Sequence, residues 1–142
     1  MGDLLTMYGI EAAILTAGED TFSPLAEGLD NVSESLNEVV QQYFFLSDKG
    51  FAQNEVTGMA PAFAFTGRRV RGDAAQDYIF DKKYGLGSDR KTQFKLSLAK
   101  GGKTETLTCP CTICNVQEFS GATTDNSAIS FEMRFNGKPT IA

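Results

Sequence analysis

Residues 93–113 read QFKLSLAKGGKTETLTCPCTI, the most regular alternation of apolar and polar residues in the chain. In its first half, Phe94, Leu96 and Leu98 alternate with polar residues, and Lys100-Gly101-Gly102-Lys103 has the composition of a turn. In its second half, alternate residues again share one side: Glu105, Leu107, Cys109, Cys111 and Ile113. Because side chains of a strand point alternately to its two faces, the pattern predicts an antiparallel hairpin with one buried face.

Further strands are predicted on both sides of this hairpin. Residues 128–135 alternate in the same way after a polar loop at 120–127, and residues 51–57 and 62–70 are short strands separated by Pro61. Residues 39–46 are rich in β-branched and aromatic residues before the turn-like Ser47-Asp48-Lys49-Gly50, which favours a strand that enters a hairpin. A helix over Ser33–Gln42 remains the alternative, since Leu36, Val39 and Val40 have helical spacing.

One helix is predicted after the strand at 62–70. Asp73 is a suitable N-cap and Gln76 stands three residues later, as in a capping box. Ala74, Ala75, Tyr78 and Ile79 form an apolar face, and Gly85 or Gly87 can end the helix.

The fold prediction is mainly β: an antiparallel β-sandwich or β-barrel of six or seven strands with one flanking α-helix. The length of 142 residues predicts a single domain, 1–142. Within it, residues 1–30 are interpreted as an irregular N-terminal segment with one short strand near Ile10–Leu15. Ordering of this segment only on assembly is left open.

Composition excludes several classes of function. The chain carries 18 acidic and 13 basic residues, a net charge of -5, which argues against a sequence-reading nucleic-acid binder. It contains no histidine, the commonest general base and metal ligand, and no residue pattern indicates a catalytic group. We therefore predict a protein that is not an enzyme and needs no cofactor. The acidic N-terminus and the lack of a long apolar run predict a soluble chain made in the cytoplasm, with no membrane contact.

The three cysteines, Cys109, Cys111 and Cys114, have a spacing that can bind zinc or an iron–sulfur cluster. A structural zinc needs four ligands, however, and no fourth cysteine or histidine exists. We favour a core role for Cys109 and Cys111 and leave the function of the three thiols open. Arg68, Arg69 and Arg71 form a small basic cluster that suits either anion binding or salt bridges, including bridges to a neighbouring subunit.

Four segments stand in a recognisable order: QYFFLSDKGFA at 42–52, EVTG at 55–58, GDAAQDY at 72–78, and residues 128–139, which begin AISFE and end FNGKP. Together they resemble the tail tube (major tail) proteins of long-tailed bacteriophages and prophages of Gram-positive bacteria. The resemblance covers most of residues 36–139; the first thirty residues add little to it, and the cysteine run is not part of it.

The resemblance implies a structural virion protein of the phage tail, made in the bacterial host cytoplasm. Six copies would form a ring, and stacked rings would form the hollow tube through which DNA passes without sequence-specific binding. The fold would be shared with type VI secretion tubes and contractile-tail tubes. Other partners would be the tape measure, the tail terminator and the baseplate or tip proteins. Whether the tail is flexible or contractile stays open.

A tube that lets DNA pass should present few cations to phosphate, in agreement with the acidic composition. The candidate lumen-facing residues are Glu38, Gln42 and Glu55, because their polar side chains interrupt otherwise apolar strands. Two alternatives remain: a monomeric β-barrel that binds a small ligand, and a protein with a cysteine-based metal site.

Overall fold

The computed structural model describes residue 2, residues 4–100 and residues 103–142. Its strands are β1 Ile10–Ala17, β2 Thr21–Pro24, β3 Leu29–Ser35, β4 Val39–Tyr43, β5 Gln53–Gly58, β6 Ala62–Arg68, β7 Lys91–Lys100, β8 Lys103–Gln117, β9 Ala128–Phe135 and β10 Thr140–Ile141. The α-helix of the described part is α1 Ala74–Asp81, and 3₁₀ turns lie at Met7–Gly9, Leu46–Asp48 and Gly87–Arg90.

Most strands join one antiparallel sheet in the order β2-β1-β7-β8-β9-β6-β3, and β10 pairs with β8. The predicted hairpin is confirmed as β7 and β8, which pair from Lys91 opposite Thr112 to Lys100 opposite Lys103. Its predicted turn includes Gly101 and Gly102, which lie outside the described residues. Strands β4 and β5 pair only with each other among the described strands and form a second, two-stranded sheet.

The large sheet curls around its apolar face. Phe63 on β6 and Phe94 on β7 are separated by β8 and β9 in the sheet, yet their rings stack with centroids 5.3 Å apart. Such a contact requires the two halves of the sheet to fold toward each other. Ile14, Phe65, Phe131 and Met133 fill the space between them, and Ile79 of α1 packs against the same core. The predicted class, mainly antiparallel β with one helix, is confirmed.

The helix begins as predicted: the Asp73 carboxylate accepts a hydrogen bond from the Gln76 backbone N–H at 3.1 Å. The other half of the capping box is absent, because the Gln76 side chain is fully buried and turns toward the β6–α1 connection. Its Oε1 accepts from the Val70 N–H at 2.8 Å, and its Nε2 donates to the carbonyls of Glu27 and Arg68. The helix ends at Asp81, before either predicted glycine.

The short strand predicted near Ile10–Leu15 is confirmed as β1, but the irregular structure predicted for the rest of residues 1–30 is wrong at Thr21–Pro24, which form β2, and at Leu29, where β3 begins. Ala12 and Ile14 of β1 are buried, and β1 pairs with β7. The count of six or seven strands is also too low, since the described residues contain ten. The missed strands β2, β3 and β10 are short or polar edge strands, which carry little periodic signal. Residues 39–43 form a strand, so the helix alternative there is wrong.

Candidate functional site

Residues 36–60, here called the apolar hairpin, contain β4, β5 and the loop between them. The apolar hairpin exposes many large apolar side chains, and Leu46 in its loop is 98% exposed. The other exposed apolar residues include Val39, Val40, Phe44, Phe45, Phe51 and Val56. An isolated two-stranded sheet is only marginally stable in water, and a large exposed apolar surface marks a site of interaction. The apolar hairpin therefore has the properties of a docking element.

Hydrogen bonds between its two ends close the root of the apolar hairpin, and one more joins it to β3, since the Ser35 Oγ donates to the Asn37 Oδ1 at 3.0 Å. The Ala60 backbone N–H donates to the Leu36 carbonyl at 2.9 Å, and the Asn37 side-chain Nδ2 donates to the Ala60 carbonyl at 2.9 Å. Asn37 has a left-handed backbone with φ of 48°, which redirects the chain between β3 and β4. Asparagine tolerates this conformation better than most residues. The hairpin thus leaves the sheet in a defined direction.

The three candidate lumen residues all belong to the apolar hairpin, but the structure does not bring them onto one face. Gln42 lies opposite Asn54, and its Nε2 donates to the Asn54 Oδ1 at 3.2 Å. Glu55 lies opposite Gln41, one position away, and therefore on the other face of the β4–β5 ladder. Glu38 precedes β4 at the root.

Both ends of the large sheet are open. Strands β2 and β3 are its outermost members, and neither has a second strand partner within the described residues. Strand β3 is polar and largely exposed on both faces. Unpaired backbone N–H and C=O groups along such edges can pair with another chain.

The cysteine pattern does not gather the three thiols. Cys109 and Cys111 are buried on the core side of β8, while Cys114 lies opposite Glu132 on the outer face. Burial raises the pKa of Cys111 to about 12, helped by the neighbouring Cys109 and Cys114. Cys111 is thus held as a protonated thiol, and its Sγ lies 3.9 Å from the Met133 Sδ. The predicted core role of Cys109 and Cys111 agrees with this packing.

The basic cluster is divided between internal contacts and solvent. Arg69 Nε donates to the Glu118 carboxylate at 2.7 Å, and its Nη2 donates to Asp77 at 2.9 Å. Lys83 Nζ reaches the second oxygen of Glu118 at 2.6 Å. Burial acts to raise the pKa of Glu118, but hydrogen bonds from Lys83 and Arg69 and their charges outweigh it and hold that pKa below its ordinary value. This charged cluster attaches α1 to the end of β8, while Arg71 is exposed.

Comparisons with solved structures address the fold. The chain superposes on the tail of an empty gene transfer agent particle refined with C6 symmetry, with a TM-score of 0.75, 14% identity, and coverage of 98% of this chain and 99% of that one. The virion of a native gene transfer agent particle gives a TM-score of 0.69 at 15% identity, covering 98% and 99%. The SPP1 tail tube gives 0.73 at 15% identity, covering 97% of this chain and 78% of that one. The chain has a tail-tube fold.

No protein-family model matches the sequence, and no curated protein matches it. Within the described residues, no helix is long and apolar enough to cross a membrane.

The sequence predictions missed one further exposed apolar surface of this tail-tube fold. Tyr84, Leu86 and Phe119, here called the distal patch, are 89%, 86% and 72% exposed. The only signal in the sequence was that Tyr84 and Leu86 alternate with Gly85 and Gly87, a composition that does not support a buried strand.

Proposed function

We propose that this chain is the structural subunit of a phage-type tail tube: six copies form a ring, and stacked rings form a hollow conduit for DNA. The observation that carries the proposal is the apolar hairpin, which exposes Val40, Phe45, Leu46 and Phe51 on a fixed root instead of packing them into the core. A monomer gains nothing from such a surface, whereas a subunit buries it against another copy. The tail-tube fold and the C6 symmetry of one structural neighbour support the same function.

Ring closure is assigned to the two open edges of the large sheet. A β3 edge on one copy and a β2 edge on the next are different surfaces, so their contact is head-to-tail, and rotation about an axis closes it into a ring. The β2 and β3 edges of the large sheet are then covered, which reduces the aggregation hazard of the isolated subunit.

The remaining parts of the proposal concern the particle. We assign the chain to a virion tail of a long-tailed phage or prophage of a Gram-positive host, with synthesis in the host cytoplasm. The tape measure, tail terminator and baseplate or tip proteins are the proposed further partners. No catalytic role is assigned to the chain.

The test is direct imaging of the purified full-length protein. We expect negative-stain electron microscopy to show rings or tubes and sedimentation to show species that grow with concentration. A double variant, Leu46→Ser with Phe51→Ser, removes apolar surface from the hairpin and should raise the concentration needed for assembly about tenfold or more.

Leu4→Ser is the matched control, since Leu4 is 95% exposed and lies outside the apolar hairpin. The control should assemble like the unmodified protein. A monodisperse monomer of 15.4 kDa that never assembles would overturn the proposal and favour the ligand-binding barrel.

A further inference from the structure

We propose that the distal patch, Tyr84, Leu86 and Phe119, is the surface on which the apolar hairpin of a second copy docks. The inference rests on the proposed function, since it names the surface that receives the hairpin when copies stack. Three features of the described residues support this docking: the rigidity of the patch, its position and its charge.

Contacts beneath the distal patch hold its side chains in position at the surface. Lys83 Nζ lies 4.2 Å from the centroid of the Phe119 ring and 5.2 Å from that of Tyr84, so both rings flank one ammonium group. That ammonium is itself paired with Glu118. Arg90 donates to the carbonyls of Gly85 and Ile113, which ties residues 83–85 to β8. A surface ordered in advance loses little conformational entropy when it binds.

The distal patch and the apolar hairpin lie at opposite ends of the central strands. The hairpin leaves the sheet where Ser35, Ala62 and Arg134 are in register across β3, β6 and β9. Phe119 begins the loop at the other end, where the Arg69 backbone N–H donates to the Ser127 carbonyl just after β6. The seven residues of β6 separate these ends by roughly 20 Å.

Two different apolar surfaces at opposite ends of the molecule allow a head-to-tail contact between one copy and the next. When this contact shifts each copy along an axis, the assembly extends from copy to copy and does not close into a ring. An axial stack of rings needs this arrangement, because a hairpin that docked on another hairpin would stop after two rings.

The charges of the two surfaces are opposite in sign. Residues 36–60 carry three acids, Glu38, Asp48 and Glu55, and one base, Lys49. Residues 81–91 around the patch carry four bases, Lys82, Lys83, Arg90 and Lys91, and two acids, Asp81 and Asp89. The patch region stays positive even when Glu118 is counted. Complementary charge favours the hairpin of a second copy as the occupant and aids encounter.

The experiment uses full-length Phe119→Ser, with the Leu46→Ser/Phe51→Ser hairpin variant and the Leu4→Ser control. We expect Phe119→Ser to raise the critical concentration for tubes about tenfold or more, while Leu4→Ser has no effect. Thermal melts monitor folding. If Phe119→Ser lowers the melting temperature, Tyr84→Ser replaces it, since Tyr84 is almost fully exposed.

Mixing the two defective variants tests whether hairpin and patch are partners. Each variant alone lacks one half of the contact, but the mixture contains one intact hairpin and one intact patch. We expect paired species by sedimentation and no tubes. Normal tube formation by Phe119→Ser, absence of pairing, or long tubes in the mixture would each overturn the inference; the first and second would point to another protein as the occupant. Failure of the unmodified chain to assemble would instead overturn the proposed function.

Discussion

At the scale of single residues, Glu118 controls how α1 and the distal patch attach to the sheet. Its half-buried carboxylate bridges Arg69 and Lys83, and the pKa of Glu118 is lowered from its ordinary value of 4.5. A group whose pKa is lower in the folded protein adds stability above its unfolded pKa, and this stability is lost as pH falls through the folded pKa.

Replacement Glu118→Gln should therefore lower the free energy of unfolding at pH 7 by about 1–3 kcal/mol, because two half-buried cations lose their shared partner. The difference between this variant and the unmodified protein should shrink as pH falls from the ordinary pKa of 4.5 toward the lower folded pKa, where Glu118 becomes neutral as well. Urea denaturation of both proteins from pH 7 to pH 3 measures it. A constant difference across this range would show that the pKa of Glu118 is the same in the folded and the unfolded protein.

At the residue scale, the sequence predicted only contacts between residues that are close together along the chain. Asp73 was identified as the N-cap because its partner lies three residues away in the same segment. The second role of Gln76 depends on the carbonyl of Glu27, which is brought near by the sheet and not by the sequence. Likewise, the sequence does not reveal that Arg69 pairs with Glu118, because Glu118 lies far along the chain.

At the scale of elements, the root of the apolar hairpin sets the direction in which the docking surface points. Asn37→Ala keeps the chain length but removes the hydrogen bond to Ala60 and places an alanine at a φ of 48°. The left-handed conformation should cost roughly 1–2 kcal/mol.

We expect amide hydrogen exchange in β4 and β5 to become about five- to thirtyfold faster in Asn37→Ala, while exchange in β8 and β9 is unchanged. Asn54→Ala is the control, because Asn54 lies within the hairpin and away from its root. Faster exchange throughout the protein would mean that Asn37 supports the whole fold and not the hairpin alone.

Elements with a buried face were predictable, and exposed edges were not. β8 and β9 bury alternate residues, and β7 buries Phe94 and packs Leu96 against the core, so the sequence carries a period of two. β3 has the sequence LDNVSES and packs only Leu29 and Val32 against the core, so its structure depends on pairing with β6 and its sequence carries no period of two. In residues 39–46 the apolar content correctly predicted a strand, but apolar content cannot distinguish a core strand from one that docks on another copy.

At the scale of the whole molecule, the two faces of the β4–β5 ladder divide the candidate lumen residues. One face carries Gln42 and Asn54 together with the exposed apolar pair Val40 and Val56. The other carries Glu55 opposite Gln41 and Tyr43 opposite Gln53. An apolar face suits contact with a neighbouring copy, and a polar acidic face suits water and the bore.

Charge changes on the two faces should therefore have different effects in the particle. Glu55→Lys should leave tails of normal appearance in electron micrographs but reduce DNA delivery about tenfold or more, because a ring of lysines holds phosphate. Glu38→Lys at the hairpin root is expected to act in the same direction if Glu38 also faces the bore. Gln42→Lys should instead reduce tail assembly, since it places a charge beside Val40 and Val56. Normal assembly and delivery in all three variants would remove the β4–β5 ladder from the wall of the tube.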